Sequence, residues 1–280
     1  MATLIGITGA TGSVGGSVAR HLADGGRTTR LIVRDAARAP RLPRAEVAVA
    51  SYDDTEACRR AYAGLDTLFL VSATESADRV QQHHGAIDAA AAAGVRQVVY
   101  LSFAGAGPDA GFTLARDHGA TEAYAQESGL AWTFLRDNFY TDALRMMFGA
   151  DGVIRGPAGH GRVACVARDD VAAVAALVLA SPRSHAGRAY ELTGPEALTL
   201  NQIAALMTEA TGSPHRYVDE TMAQAHASRA HYGAPEWMVD AWISTYTAIR
   251  DGELERVTSD VPDLLGRPAL SAREVFSRRR

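Results

Sequence analysis

The sequence contains no lysine: all 28 of its basic residues are arginine. This absence excludes every mechanism that requires a lysine side chain. Among these are Schiff-base catalysis, the phosphate-binding lysine of P-loop proteins, and the Tyr-x-x-x-Lys pair of ordinary short-chain dehydrogenases. The usual proton donor of those dehydrogenases therefore cannot be built from this chain.

Cysteine and long apolar runs are also scarce. Cys58 and Cys165 are the only cysteines, and neither has a cysteine or histidine at metal-ligand spacing. We therefore expect no disulfide framework and no metal site, and interpret both cysteines as small buried residues. No apolar run approaches the ~20 residues that a bilayer requires. The chain passes from Met1 into an apolar strand without a charged segment, which predicts no secretory signal and a cytoplasmic location.

The charge balance argues against a nucleic-acid partner. The formal net charge is -4, and the basic cluster Arg278, Arg279 and Arg280 is interpreted as a solvated chain end. The composition is 47% hydrophobic and 21% charged, which is typical of a globular protein. A chain of 280 residues accommodates one large domain, or a larger domain with a smaller partner.

Short apolar runs alternate with amphipathic stretches through the first half of the chain, as in a parallel sheet with helices on both faces. The predicted strands are Leu4–Thr8, Thr29–Val33, Glu46–Val49, Thr67–Val71, Gln97–Ser102 and Ala131–Leu135. The predicted helices are Val14–Ala23, Thr55–Ala61, Arg79–Ala93 and Leu114–Glu127. Strands joined by helical crossovers favour an α/β, doubly wound fold.

The second half of the sequence is less regular and mostly helical. Predicted strands are Val153–Ile154, Arg162–Val166 and Ala189–Thr193. Predicted helices are Asp170–Ala180, Leu200–Thr211, Thr221–Tyr232, Pro235–Arg250 and Pro262–Leu265. Trp237, Trp242 and Tyr246 recur at helical spacing and are interpreted as core residues, the alternative being that one of them roofs the acceptor site.

A glycine-rich segment from Gly9 to Gly15, with the spacing GxxGxxG, follows the first strand and opens the first helix. In this context, small residues let the backbone approach a pyrophosphate, and amides at the helix start donate hydrogen bonds to it. We interpret it as a dinucleotide fingerprint, the alternative being a tight turn without a ligand. This predicts a dinucleotide-binding Rossmann domain over residues 1–137, with 160–193 returning to its sheet. A smaller, mostly helical substrate domain is predicted over residues 138–280.

Arg34 ends the second predicted strand, where NAD enzymes place an acid against the ribose hydroxyls. A guanidinium can bind a 2′-phosphate through two parallel hydrogen bonds, so Arg34, with Arg38 nearby, favours NADPH. The alternative is a solvated charge at a helix start.

The glycine motif, Val33-Arg34, the segment from Ser128 to Arg136, and Phe139-Tyr140 together resemble the NmrA-like, atypical short-chain dehydrogenases. Within that family the sequence is most similar to the type 2 NAD(P)H:quinone oxidoreductases and the triphenylmethane reductases. The likeness extends over nearly the whole chain. It implies a Rossmann domain, a small carboxy-terminal substrate domain and an acceptor cleft between them.

The resemblance also implies site residues. It assigns the phosphates to Gly9, Thr11, Gly12, Ser13, Val14 and Gly15, the 2′-phosphate to Arg34, and the ribose–nicotinamide end to Ser72, Ala73 and Ser102. Substrate contacts are expected from Phe103, Asn138, Phe139 and Tyr140, although core packing of Phe139 and Tyr140 is an equal alternative. The chain departs from the family at Ser51 and Asp137, where Asp and Asn are common, and Asp53 lies near the first of these.

His118 and Glu122 are four residues apart on a predicted helix and so share one face. The resemblance implies that they lie beside the nicotinamide. A histidine can donate a proton near neutral pH, and Glu122 can orient or charge it. The alternative is an exposed intrahelical pair. His118 and Tyr140 are the catalytic residues we expect.

Two other polar clusters are interpreted without a catalytic role. His83-His84 lacks a third ligand, so a solvated helix face is favoured over a metal site. Arg168-Asp169-Asp170 is interpreted as a helix N-cap.

The predicted function is an NADPH-dependent reductase that transfers hydride to a quinone-like or other planar conjugated acceptor. The alternatives are a non-catalytic NADP(H)-sensing regulator and a biosynthetic ketone or enone reductase. A small aromatic or quinone-like substrate is the expected partner, without nucleic acid or membrane, and a homodimer remains open.

Overall fold

The computed structural model describes residues 3–278, and its first half alternates strands with helices along the chain. The strands are β1 (Leu4–Ile7), β2 (Thr28–Val33), β3 (Ala45–Val49), β4 (Thr67–Val71), β5 (Gln97–Phe103) and β6 (Ala131–Asp137). The helices are α1 (Ser13–Asp24), α2 (Thr55–Tyr62), α3 (Arg79–Ala92) and α4 (Thr113–Glu127). Each lies within two residues of the bounds predicted from the sequence.

These six strands join β9 (Arg188–Leu192) in a seven-stranded sheet of order β3-β2-β1-β4-β5-β6-β9. Strand β1 pairs in parallel with both β2 and β4, so that Ile5 lies opposite Thr29 on one side and Thr67 on the other. The strand order therefore reverses at β1. Sheets of this kind bind ligands beyond the carboxyl ends of the strands at such a reversal. The predicted doubly wound α/β fold is confirmed.

The central strands are buried on both faces. Every residue of β5 is buried, and only the last residue of β4 is partly exposed. Helices cover both faces of a parallel sheet, so its inner strands carry continuous apolar runs rather than alternating ones. Edge strand β3 differs, because Val47 and Val49 remain 45% and 57% exposed.

The second half contains shorter elements. They are α5 (Thr141–Met147), β7 (Val153–Gly156), β8 (Arg162–Val163), α6 (Arg168–Ala180), β10 (Leu198–Thr199), α7 (Leu200–Thr211), β11 (Arg216–Asp219), α8 (Met222–Arg229), α9 (Glu236–Arg250), α10 (Asp260–Leu265) and α11 (Ala272–Ser277). Strand β7 pairs with β11 in parallel, and β8 pairs with β10 antiparallel. Elements α5, β10, β11 and α11 were not predicted.

Several predicted features of the second half are wrong in detail. The strand predicted to reach Val166 ends at Val163, and Val166 makes only an isolated bridge to Tyr140. The helix predicted over Thr221–Tyr232 ends at Arg229 and continues as a short 3₁₀ turn. Helix α6 includes Arg168, Asp169 and Asp170 as its first turn, rather than being capped by them. The acceptor for its first amide is Asp142, whose carboxylate lies 2.9 Å from Arg168 N.

The tryptophans and cysteines divide as follows. Tyr246 is buried and Trp242 packs against the cluster around Ile243, whereas Trp237 is 39% exposed and is not a core residue. Cys58 and Cys165 are both buried and unpaired, as predicted.

Internal contacts divide the chain into two units. The first comprises the residues up to Phe103, with Asp117–Arg136 and Asp169–Tyr190. The second comprises Ala104–Arg116, Asp137–Arg168 and the residues from Glu191 onward. The assignment of cofactor binding to residues 1–137 and substrate binding to 138–280 stays a prediction. Among residues 3–278, no helix is both long and apolar enough to cross a membrane. Arg279 and Arg280 lie outside the described residues.

Candidate cofactor site

The glycine-rich turn joins β1 to α1. Gly9 has a φ of +61°, which favours glycine, and its carbonyl accepts a hydrogen bond from Gly12 N at 2.8 Å. The first intrahelical bond of α1 runs from Gly16 N to Gly12 O. The amides between these two residues precede that bond, so they have no intrahelical acceptor. Together with the helix dipole, they form a binding position for an anion.

Gly15 serves the packing of this turn. An added Cβ at Gly15 would lie 2.4 Å from the carbonyl oxygen of Gly9 and 2.9 Å from that of Thr8. Such distances are too short for any side chain, so α1 can lie against the turn only with glycine here. Gly12 is less restricted, because its added Cβ would lie 3.2 Å from Gly9 O.

A cavity of about 400 Å³ lies at the carboxyl ends of β1 to β4. Six of the cofactor residues expected from the sequence line it together, namely Gly9, Thr11, Gly12, Arg34, Ser72 and Ala73. The other four expected residues, Ser13, Val14, Gly15 and Ser102, are not among its lining residues. Its volume is within the range of ligand pockets, and its walls combine a glycine turn, a cation and several hydroxyls. These features fit a dinucleotide with a negatively charged centre.

The loop after β3 forms another wall of the cavity, and it contains Ser51, where the sequence departs from the family pattern. Asp53 accepts hydrogen bonds from Ser51 Oγ at 3.1 Å and from Gln82 Nε2 at 2.7 Å. All three residues line the cavity. An acid therefore borders this part of the cavity two residues later than the family pattern places it.

Arg34 is exposed at the edge of the cavity, beside Asp35. Asp35 accepts a hydrogen bond from Ala37 N at 2.9 Å and so caps the 3₁₀ turn that follows β2. The acid next to Arg34 is thus used in local structure, and the guanidinium is the charged group of this strand end that lines the cavity.

Tyr52 is a residue that sequence reasoning missed. Its hydroxyl lies 2.6 Å from Thr8 Oγ1 and donates to Val71 O at 2.7 Å, while Val71 N donates to Thr8 Oγ1 at 2.8 Å. Burial raises the pKa of the Tyr52 hydroxyl above its usual value, so it stays protonated and able to donate. Its hydroxyl links the carboxyl ends of β1 and β4 at the cavity. No local sequence motif predicts this link.

His83 is fully buried, so its interpretation as part of a solvated helix face is wrong. Ala73 N donates to its Nε2 at 2.8 Å, and Nδ1 lies 2.8 Å from Thr121 Oγ1. A backbone amide can only donate, so Nε2 is unprotonated and Nδ1 carries the hydrogen. Burial, and then the nearby Arg79 guanidinium, lower the pKa of His83 to about 3. The ring is therefore neutral at physiological pH.

His118 has a similar environment. Arg79 Nη2 lies 2.9 Å from its Nε2, and Tyr100 Oη lies 2.8 Å from its Nδ1. Because a guanidinium can only donate, Nδ1 carries the hydrogen and donates it to Tyr100. Burial, and then Arg79, lower the pKa of His118 well below its usual value. Its role as a proton donor stays a prediction, and these contacts favour a neutral ring.

The alternative of an exposed His118–Glu122 pair is wrong, because the two side chains are only 6% and 5% exposed. Glu122 accepts hydrogen bonds from Ser102 Oγ at 2.6 Å and from Arg136 Nε at 2.9 Å. The groups that orient the His118 ring are therefore Tyr100 and Arg79 rather than Glu122.

The expected substrate residues are engaged within their own units. The Phe103 ring lies 6.1 Å from that of His118. Asn138 is buried, with Nδ2 donating to Leu254 O at 3.1 Å and Oδ1 accepting from Phe139 N at 2.8 Å. The half-buried Phe139 ring packs 5.7 Å from Phe112. Their contact with a substrate stays a prediction.

Tyr140 donates its hydroxyl hydrogen to Asp137, and the Arg168 guanidinium lies 5.0 Å from the centre of its ring. Burial raises the pKa of Asp137 to about 8, although the hydrogen bond from Tyr140 lowers it. Burial, and then the Asp137 charge, raise the pKa of Tyr140 well above its usual value. Tyr140 is thus a weaker acid than an ordinary tyrosine. Among residues 3–278, no group of three metal-ligating side chains could hold a metal ion.

Comparison with known proteins agrees with this geometry. A family model described as NAD(P)H-binding matches residues 9–182. The chain is similar to the solved NADPH-dependent quinone oxidoreductase of Escherichia coli in complex with NADPH, with 34% identity, a TM-score of 0.90 and 98% of both chains covered. It is also similar to the solved Citrobacter sp. triphenylmethane reductase in complex with NADP(H), with 29% identity, a TM-score of 0.84 and coverage of 97% and 98%.

A further relative is the (4-alkanoyl-5-oxo-2,5-dihydrofuran-3-yl)methyl phosphate reductase of Streptomyces griseus subsp. griseus. It is 38% identical over 276 residues, which cover 96% of this chain and 95% of that protein. All three relatives are oxidoreductases that match over nearly their full length. The predicted family resemblance and the prediction of an enzyme are confirmed.

We predict that Gly15→Ala and Gly12→Ala have different effects. The methyl group of Gly15→Ala meets backbone at 2.4 Å, so the free energy of unfolding should fall by about 1 to 3 kcal/mol. Gly12 lines the cavity, so Gly12→Ala should mainly weaken NADPH binding. Urea unfolding and NADPH fluorescence titration measure the two effects. A Gly15→Ala protein as stable as wild type would show that this close approach is not required.

We also predict a pH dependence of stability from His83. The unfolded state binds a proton below a pKa of about 6.5, whereas the folded state does so only near 3. Stability therefore falls as the pH drops from 6.5 toward 3, by about 2 kcal/mol between pH 6.5 and 5. Urea unfolding at both pH values should show this loss in wild type and in His84→Gln, but a smaller loss in His83→Gln. Equal losses in all three proteins would mean that His83 is not buried in its neutral form.

Proposed function

This chain is an oxidoreductase of the NAD(P)H-binding family, and we propose that it uses NADPH to reduce a planar, conjugated acceptor such as a quinone. The observation that carries the proposal is the cavity at the carboxyl edge of the sheet, where the glycine turn and Arg34 line one space. When bound there, NADPH supplies a hydride.

The chain's own groups divide the binding of NADPH among them. The amides at the start of α1 and the Thr11 hydroxyl are suited to the pyrophosphate. Arg34 is suited to the 2′-phosphate, since a guanidinium and a phosphate form charge-assisted, bidentate hydrogen bonds. Asp35, which would otherwise suit a 2′-hydroxyl, accepts from Ala37 N instead. Ser51 and Asp53 border the remaining wall, on the side of β3.

The choice of acceptor follows from what proton donors the chain offers. Hydride addition to a ketone leaves an alkoxide, as basic as hydroxide, with water's pKa of ~15.7 as a guide. Hydride addition to a quinone leaves a phenolate-like anion, whose conjugate acid has a pKa near the ~10 of tyrosine. At 1.36 kcal/mol per pKa unit, the quinone requires about 7 to 8 kcal/mol less stabilisation by a proton donor.

The described donors are poorly matched to the harder reaction. His118 is buried with its single ring hydrogen directed to Tyr100, and Tyr140 donates to Asp137. There is no lysine to replace them. An acceptor whose reduced form water can protonate therefore suits this chain better than a simple ketone does.

A second candidate acceptor class is a conjugated enone of a biosynthetic pathway. It is favoured by the 38% identity to the Streptomyces reductase, because the dihydrofuranone in that protein's name is an unsaturated lactone. Its reduction also leaves a delocalised anion, so the same argument about proton donors applies. A cytoplasmic location and a homodimer remain predictions.

We predict that Arg34→Ala removes much of a preference for NADPH over NADH. A charge-assisted bidentate contact is worth ~1.5 to 3 kcal/mol, so the wild-type preference should be about ten- to a hundred-fold. The dissociation constants of both cofactors are measured for wild type, Arg34→Ala and the control Arg41→Ala, since Arg41 is exposed and does not line the cavity. An unchanged NADPH:NADH ratio in Arg34→Ala would refute this role.

We further predict that the enzyme reduces quinones or cationic dyes far better than unactivated ketones. kcat/KM is compared for a quinone, an enone and a ketone, in wild type and His118→Ala. The quinone rate should fall only about ten-fold in His118→Ala, against the ~10²- to 10⁴-fold typical of an essential general acid. Efficient ketone turnover by wild type would contradict the proposed preference for quinones. A fall in the quinone kcat/KM by more than ~10⁴-fold in folded His118→Ala would identify His118 as an obligatory acid.

A further inference from the structure

The loop after β4, residues 72–76, borders the cofactor cavity, and its backbone is held at Ala73 from both sides. Ala73 N donates to His83 Nε2 at 2.8 Å, and Ala73 O accepts from Arg79 Nε at 3.1 Å. Arg79 and His83 are four residues apart on α3 and so share one face of that helix. One helix thus binds both polar groups of a single residue in the cavity wall.

These two side chains are held in turn by α4. Arg79 Nη2 donates to His118 Nε2 at 2.9 Å, and Arg79 Nη1 lies 3.4 Å from Asp117 Oδ2. His83 Nδ1 donates to Thr121 Oγ1 at 2.8 Å, which itself donates to Asp117 O at 2.7 Å. Arg79, His83, His118 and Thr121 are all at most 6% exposed.

We propose that Arg79 and His83 are positioning residues for the cofactor. They fix the Ala73 peptide, and with it the wall formed by residues 72–76, before the dinucleotide binds. Thr74 and Glu75 of this loop are exposed, so these two side chains do not hold the loop in place by burial. A buried polar network whose donors and acceptors are satisfied is rigid. A rigid wall lowers the conformational entropy lost on binding and therefore tightens it.

The network also gives His118 a role that needs no proton transfer. Its Nε2 accepts from Arg79, so the ring helps to aim the guanidinium at Ala73 O. The positioning role of Arg79 and His83 rests on the NADPH binding proposed above, and it is independent of which compound receives the hydride.

The test compares His83→Leu, His83→Gln and the matched control His84→Leu. His84 is the next residue of α3, stacks on Tyr124 at 3.8 Å and does not line the cavity. NADPH affinity is measured by fluorescence titration, and hydrogen exchange is measured for the amides of residues 70–78 in the free protein. Thermal unfolding establishes that each protein is folded at the temperature used.

His83→Leu should raise the Kd for NADPH about ten-fold and accelerate exchange at Ala73, as expected for the loss of one well-placed hydrogen bond. His83→Gln keeps an acceptor in its amide oxygen and should recover part of both effects, while His84→Leu should match wild type. An unchanged Kd in folded His83→Leu would overturn the proposal. Equal impairment by Leu and Gln would also overturn it, because lost packing would then account for the result.

If His83→Leu does not fold, Thr121→Val supplies the decision. This nearly isosteric change removes the hydroxyl oxygen that accepts the hydrogen bond from His83 Nδ1. It should raise the Kd for NADPH several-fold, while the KM for the quinone stays constant. An unchanged Kd would overturn the proposal. Because both readouts precede hydride transfer, failure to reduce quinones would contradict the proposed function and leave this inference standing.

Discussion

The close approach of Gly15 to the carbonyl oxygen of Gly9 is the constraint on which the cofactor site depends. An added Cβ would lie 2.4 Å from that oxygen, so α1 can begin directly after β1 only because position 15 has no side chain. This places the first amides of α1 at the carboxyl edge of the sheet. Strands β2 and β4 lie parallel to β1 on its two sides, so the carboxyl ends of all three strands lie at the same edge. The approach of Gly15 to Gly9 thereby places the glycine turn in the same cavity that Arg34 and Ala73 line.

The buried cation beneath this edge shows why arginine suits the position. Arg79 donates to the carbonyl of Ala73 and to His118, and lies close to the Asp117 carboxylate. A planar guanidinium carries five donors in a fixed fork, whereas an ammonium group is a compact point charge. Three acceptors in different directions can therefore be served by one side chain. The contact with Arg79 requires a neutral His118, and the hydrogen bond from Ala73 N requires a neutral His83.

The first half of the fold was predictable because its signals are local. Apolar runs, glycine turns and helix periodicity recur within single elements, and α1 to α4 lie close to their expected bounds. Elements such as α5, β10 and β11 have between two and seven residues, too few for a period to appear. The His83-His84 pair illustrates a different limit. Adjacent helical residues point about 100° apart, so one of the pair can be fully buried while the other is not, and the sequence does not tell which.

By itself, the sequence determined the glycine turn, the arginine after β2 and the sheet that presents them, since each depends on residues adjacent along the chain. Only the tertiary structure decided what the histidines do. The contacts of His83 with Thr121 and of Arg79 with His118 join residues 38 and 39 positions apart. The link between Tyr52 and Thr8 spans 44 positions. Partners at such separations are chosen by how α3, α4 and the strand ends pack, because no local pattern encodes which buried donor will meet which acceptor.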